Sequence, residues 1–204
     1  MTLPDFSFEK EHWVSGLPVL GIDEAGRGAF AGPLAVGGAI FDPRFEKKLL
    51  KLGINDSKLL SAKKREVLYS EIKKHTIFSH VEFVSLEIIN KVGIGKATTI
   101  GMVNIYNRAS KVYKNIYLLI DAFKIPLAVS QQAIVHGDRL SVSVAAAGIL
   151  AKVERDKYMT DLSLKYPGFE WLKNKGYGTK KHREAIKEFG PCLHHRLQFI
   201  SRYI

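Results

Sequence analysis

Val19-Leu20-Gly21-Ile22-Asp23-Glu24-Ala25-Gly26-Arg27-Gly28 joins a short apolar, β-favouring run to two adjacent carboxylates and a glycine-rich turn. Val19 to Asp23 reads as a strand, because β-branched and apolar residues follow one another without a helical period and Gly26 to Gly28 closes the run. Pro33 to Phe41 (PLAVGGAIF) reads as a second strand close behind it. Two more carboxylates sit at the ends of apolar elements. Asp121 closes the continuous run Ile116–Ile120, of the kind expected for a strand buried on both faces, and Asp138 precedes the longest helical pattern of the chain.

Outward from these runs, strands come early and helices interleave later. Ser61 is placed to cap a helix over roughly 62–74, Thr76 to Val84 alternates as a strand, and Ser85 is placed to cap again before a helical pattern at Ala97–Ala109. Short β-like pieces lie near Leu127 and Ile134. Ser141 to Tyr166 is one long helix whose Ala145-Ala146-Ala147-Gly148 allows close packing, and it ends at Pro167-Gly168. A final helix runs from Thr179 to Gly190-Pro191. This is an α/β pattern, with a mixed sheet flanked by helices. No repeat or long linker divides it, so 204 residues read as one domain.

The chain carries 31 Lys+Arg against 20 Asp+Glu, a net charge of +11, and the excess is uneven. Residues 139–204 hold 13 basic and 6 acidic side chains, with Lys173, Lys175, Lys180, Lys181, Arg183 and Lys187 set around a lone Glu184 near Trp171 and Tyr177. Such a stretch suits a phosphate backbone with a ring stacked on a sugar or base, although by itself it describes a solvated helix face equally well. The longest charge-free stretch, Gly28 to Phe41, is 14 residues, short of the ~18 that a membrane span needs. One cysteine, Cys192, allows no internal disulfide, and Asp5, Glu9 and Glu11 exclude a signal peptide, so a cytoplasmic protein with no membrane partner is expected.

Three other motifs fail. Gly26-x-Gly28 is not a dinucleotide loop, because its third glycine falls at Gly32 and a strand follows where the pyrophosphate needs a helix. Gly93-Ile94-Gly95-Lys96 lacks the phosphate loop's first glycine, at Asn90, and its hydroxyl, at Ala97. Cys192, His194 and His195 do not supply four zinc ligands.

The acidic residues remain. If the strands ending at Asp23 and Asp121 are neighbours, both carboxylates project from one edge of the sheet. Side chains alternate along a strand, so Glu24 joins them only if the strand ends there and its longer chain bends round. Asp23, Glu24, Asp121 and Asp138 brought together would repel and resist ionisation unless cations neutralised them. An all-oxygen set suits Mg²⁺ or Mn²⁺. Two such ions about 3.5–4 Å apart clamp the attacking and leaving oxygens of a phosphodiester displacement. An acidic metal site framed by basic surface is the logic of a nuclease.

Gly21-Ile22-Asp23-Glu24-Ala25-Gly26-Arg27-Gly28 followed by Ala31-Gly32-Pro33 resembles the opening signature of type 2 ribonucleases H (ribonucleases HII). The likeness continues through Asp56-Ser57-Lys58, Leu119-Ile120-Asp121, Gly137-Asp138, the run Ala145 to Asp156, Lys175-Gly176-Tyr177-Gly178-Thr179 and His195-Arg196, over about residues 20–199. It implies an RNase H-like mixed five-stranded sheet over about 17–166, with a small helical substrate-binding extension at 167–204. It also implies a metal-dependent endonuclease, expected as a monomer, whose substrates are RNA–DNA hybrids and duplex DNA containing single ribonucleotides. Cleavage falls on the 5′ side of the ribonucleotide and leaves 3′-hydroxyl and 5′-phosphate ends, a chemistry suited to removing primers and misincorporated ribonucleotides.

Carried over residue by residue, Asp23, Glu24, Asp121 and Asp138 hold the metals, with Asp23 the candidate to bridge both. Gly26-Arg27-Gly28 matches the loop that reads the 2′-hydroxyl, the group by which RNA differs from DNA. Tyr177 matches the tyrosine that stacks on the neighbouring deoxyribose, and Lys58 and Lys152 are candidate phosphate contacts. The chain departs from the pattern at Ala29 (commonly proline), Ala122 (commonly glycine) and Gly148 (frequently serine). The first is expected to loosen the loop and the third removes a hydroxyl, while every carboxylate is kept. A type 3 ribonuclease H, the nearest alternative, carries lysine in the glycine loop and glutamate as last carboxylate, where this chain has Arg27 and Asp138. A non-catalytic nucleic-acid binder on the same fold would not need all four carboxylates.

Overall fold

The computed structural model describes residues 3–204. Five strands, β1 (Val19–Ala25), β2 (Leu34–Phe41), β3 (Thr76–Val84), β4 (Tyr117–Asp121) and β5 (Gln131–Ile134), form one mixed sheet in the order β3-β2-β1-β4-β5. Around it lie α1 (Ser7–Trp13), α2 (Glu46–Leu50), α3 (Ala62–His75), α4 (Leu86–Ser110), α5 (Val142–Lys165), α6 (Trp171–Asn174), α7 (Lys180–Phe189) and α8 (Leu197–Ile200). β2 pairs antiparallel with β1 and with β3, whereas β4 runs parallel to β1 and β5 parallel to β4. The parallel step needs a long crossover, which α4 supplies.

Strand alternation sorts the core. Leu20 and Ile22 of β1 face α4, where Met102 and Ile105 complete a cluster with Val36, Leu118 and Ile120. Gly21 and Asp23 face α5, whose Ala145, Ala146, Ile149 and Leu150 pack with Ala39, Phe41 and residues of α3. The small residues bring α5 close: a Cβ on Gly37 of β2 would lie 2.1 Å from the Ala147 carbonyl. Burying both faces explains why β2 and β4 read as unbroken apolar runs. Ser61, Ser85 and Ser141 accept amide hydrogen bonds from Lys64, Ile88 and Val144 as helix caps, at the positions the sequence indicates.

The structure adds short elements that carry too little periodicity to be read. These are α1, α2, α6 and α8, so α7 is not the last helix. Gly93 (φ 79°) breaks α4, and the failed phosphate-loop segment lies inside that broken helix. The β-like piece at Leu127 does not pair. The Gln131 side chain takes the Ile125 amide and the Ile125 and Leu127 carbonyls instead of a strand ladder. A third cluster docks the C-terminal segment onto the far half of α5: Phe169, Trp171, Ala185, Ile186 and Ile200 pack on Met159, Leu162 and Ala31. Among the described residues no helix is long and apolar enough to cross a membrane.

Candidate active site and substrate cleft

β1 and β4 are neighbours in register, Ile22 opposite Ile120, so Asp23 and Asp121 come next to each other at the same sheet edge. Asp138 sits on a tight turn, Gly137–Arg139, entered through His136 in the left-handed region (φ 58°). The Gly137 amide donates to Asp121 Oδ1 at 2.7 Å, tying that turn to the end of β4. β1 does not stop at Glu24: it continues through Glu24, paired with Val36, to Ala25. Glu24 belongs with the other carboxylates because β4 has ended by then, leaving one side of β1 open.

Burial raises Asp23 well above the ordinary carboxylate range, and Glu24 and Asp121 add to the effect. Burial also raises Glu24, against the pull of Arg27. Asp138 is raised by burial, then by Asp56 and Asp121. Glu24 Oε2 is buried without a hydrogen-bond partner. Among the described residues no three acidic, histidine or cysteine side chains close tightly enough to grip an ion as they stand. The donor chemistry nevertheless fits divalent ions: the site is all carboxylate, it is buried against its own repulsion, and it presents an orphaned oxygen.

Beside the carboxylates lies a cleft of about 390 Å³ lined by Glu24, Ala25, Gly26, Arg27, Gly28, Ser57, Lys58, Lys152 and Tyr177. All six residues singled out for substrate binding therefore share one cavity. Lys58 Nζ stands 3.7 Å from Asp138 Oδ2 on an exposed side chain. Burial pulls Lys58 down, but Asp56, Asp23, Asp138 and Asp121 together leave it above the usual lysine value. Asp56, itself buried, caps the short turn Ser57–Leu59 by accepting the Lys58 amide and pairs with Arg139 at 3.2 Å. Lys152 is held by Asp156 at 2.7 Å with Nζ 5.4 Å from the Tyr177 ring, and the Arg27 guanidinium lies 4.5 Å over the Phe123 ring.

The ribonuclease HII family model matches residues 20–203. The chain belongs to the ribonuclease HII family. It is thus a ribonuclease H, an endoribonuclease of RNA–DNA hybrids. The ribonuclease HII of Caldicellulosiruptor bescii is 42% identical over 187 residues, covering 91% of this chain and 88% of its own. That of Endomicrobium trichonymphae is 44% identical over 196 residues, covering 95% and 91%. Among solved structures, the complex of PCNA with ribonuclease HII from Archaeoglobus fulgidus matches with a TM-score of 0.75 and 29% identity, over 90% of this chain and 94% of that one.

Two departures from the ribonuclease HII pattern take on a different meaning in the structure. The Ala29 amide donates to the Gly26 carbonyl at 3.2 Å, a bond proline cannot make, and Ala29 bridges to Tyr177. These contacts tie the loop at Ala29. Ala122 sits at φ 57°, where glycine is at ease and an L-residue is strained by roughly 1–2 kcal/mol.

Residues that sequence reasoning quoted only as pattern also reach the site. Arg196 donates to the Gly26 and Arg27 carbonyls of the glycine loop, and the Arg155 side chain packs against Gly26. His195 is buried and belongs to a hydrogen-bonded relay. His182 Nδ1–H donates to the Tyr177 carbonyl at 2.9 Å, so its Nε2 accepts from Trp171 Nε1 (3.0 Å) and from His195 Nε2 (3.1 Å), and His195 Nδ1 accepts the Cys192 amide at 3.0 Å. Both imidazoles are neutral in this arrangement. His182 thereby ties the Tyr177 loop to the buried Trp171 and His195.

Proposed function

We propose that this ribonuclease H nicks duplex DNA on the 5′ side of an embedded ribonucleotide, besides cutting hybrids, and leaves 3′-hydroxyl and 5′-phosphate ends. The observation that carries the proposal is that Gly26-Arg27-Gly28 and Tyr177 line one cleft together with Glu24. One domain, 1–204, does this work, with about 17–166 as core and 167–204 supplying the junction side. The surroundings are cytoplasmic, in keeping with the single thiol.

Asp23, Glu24, Asp121 and Asp138 are the proposed ligands of two divalent ions, Mg²⁺ or Mn²⁺. Bound there, the ions supply Lewis-acid neutralisation and an activated water. The protein does the rest. The backbone of Gly26 to Gly28, free of side chains at Gly26 and Gly28, approaches the ribose closely enough to recognise the 2′-hydroxyl. Tyr177 stacks on the sugar that follows, Lys58 and Lys152 meet phosphates, and the basic C-terminal segment draws in the backbone. Lys58 releases Asp138 as it turns to the phosphate.

Asp23→Asn tests the assignment. Cleavage should fall at least about a hundredfold while hybrid binding survives, because a ligand is lost and the basic surface stays. Near-normal turnover would remove Asp23 from the metal site.

A further inference from the structure

Two guanidiniums, Arg155 and Arg196, are fully buried, and neither meets a carboxylate among the described residues. Burying an unpaired charge costs several kcal/mol, so what they bind is informative. All their hydrogen-bond partners are main-chain carbonyls, and the Arg155 guanidinium also lies 5.4 Å over the Tyr177 ring. Arg155 donates through Nε to Pro33, through Nη2 to Ala31 and through Nη1 to Lys175, each at 2.9 Å. Arg196 donates through Nη1 to Gly26 (2.7 Å) and Arg27 (3.0 Å), and through Nε and Nη2 to Gly32 at 3.0 and 2.9 Å.

Two of these carbonyls, Gly26 and Arg27, line the cleft, and the others belong to segments directly behind it. Gly26 and Arg27 are in the loop that faces the ribose, while Lys175 is two residues before Tyr177. Amide bonds complete the lattice: Phe30 and Ala31 donate to Gly176 at 2.7 and 3.1 Å, and Arg196 donates to Phe30 at 2.7 Å. The space is full as well. A Cβ on Gly26 would lie 1.9 Å from Arg155 Nε, so the loop rests directly on that side chain.

We propose that Arg155 and Arg196 are positioning residues that fix the gap between the Gly26–Gly28 loop and Tyr177 before substrate arrives, and so set the preference for a lone ribonucleotide over a continuous hybrid. The proposal rests on the cleft reading above. A hybrid offers a 2′-hydroxyl in every register, so a slackened gauge still finds an alignment that can be cut. A lone ribonucleotide offers one register, and a slackened gauge misses it.

The test compares kcat/KM on a duplex with one ribonucleotide and on a uniform hybrid, for wild type, Arg196→Lys and Arg155→Lys, with thermal melting to confirm folding. Lysine keeps the charge but cannot span the same carbonyls. The single-ribonucleotide to hybrid ratio should fall about tenfold or more, equivalent to ~1.4 kcal/mol of lost discrimination. A folded variant in which both activities fall together, with the ratio unchanged, would overturn the proposal and leave a purely structural role. Wild type that cuts hybrids but not the single ribonucleotide would instead overturn the cleft reading beneath it. Should the lysine variants fail to fold, two measurements still decide. Gly176→Ala, whose Cβ would meet the Ala31 carbonyl at 2.5 Å, widens the same gap with both charges kept and should lower the ratio likewise. In substrate-free wild type, the amides of Phe30, Ala31 and Arg196 should exchange as slowly as those of β1; exchange at loop-like rates contradicts a gap fixed in advance.

Discussion

Gly148 of α5 lies directly against the Asp23 carboxylate: a Cβ at position 148 would fall 2.2 Å from Oδ2. With Oδ1 already accepting the Glu24 amide at 2.7 Å, Asp23 is held from one side by its own strand and has its other oxygen over bare helix backbone. A side chain at 148 would therefore require the Asp23 carboxylate to move from the position it holds in this chain.

Gly148→Ala should displace Asp23 while leaving the fold intact, since alanine is the better helix former. Misplacing a reacting group by an ångström costs on the order of a hundredfold in rate, and a loss of that size in kcat is expected. Unchanged kcat with a normal melting temperature would show that Asp23 adjusts freely and that the contact is incidental.

Tyr177→Ala should reduce cleavage of a single-ribonucleotide duplex by roughly tenfold more than cleavage of a long hybrid, because the ring is proposed to stack at the RNA-to-DNA junction. Parallel kinetics on the two substrates check this. Equal losses on both would assign Tyr177 to packing, consistent with its place over Lys152 and Arg155.

Stability should fall on acidification through the histidine relay. Burial, then His182, pushes His195 down to about 4, and burial lowers His182 as well. An unfolded histidine titrates near 6.5, so between about 6.5 and about 4 the unfolded chain binds protons that the folded one refuses, and stability decreases as pH falls. Raised carboxylates such as Asp23 act in the opposite sense, since their folded form takes up protons first. Melting temperature against pH should therefore have a shallower acid limb in His195→Gln than in wild type. Identical limbs would show that the relay is not kept neutral.

Much of this fold was legible because its elements announce themselves by period and cap. Ser61, Ser85 and Ser141 marked helix starts, the run ending at Asp23 marked a strand, and the unbroken run ending at Asp121 marked a strand buried on both faces. The juxtaposition of Asp23 and Asp121 followed from those runs once they paired in parallel. Glu24 did not follow, because its access to the site depends on β4 ending early, a tertiary fact. The contacts of Arg155 and Arg196 were not legible for a different reason. Their partners are carbonyls, which every residue has, so no residue pattern records the contact. The short helices around Ser7, Trp171 and Leu197 are held by packing rather than propensity, and α1 in particular by buried Glu9, whose carboxylate accepts from Ser141 Oγ at 2.6 Å and from the Ser143 amide at 2.9 Å.

The most direct test of the account is cleavage of an end-labelled DNA duplex carrying one ribonucleotide, with Mg²⁺, with Mn²⁺ and with chelator. A nick on the 5′ side of the ribonucleotide that requires the metal, leaving a 3′-hydroxyl and a 5′-phosphate, is the predicted result. An intact duplex in both metals, under conditions where the same preparation cuts a uniform RNA–DNA hybrid, would contradict it.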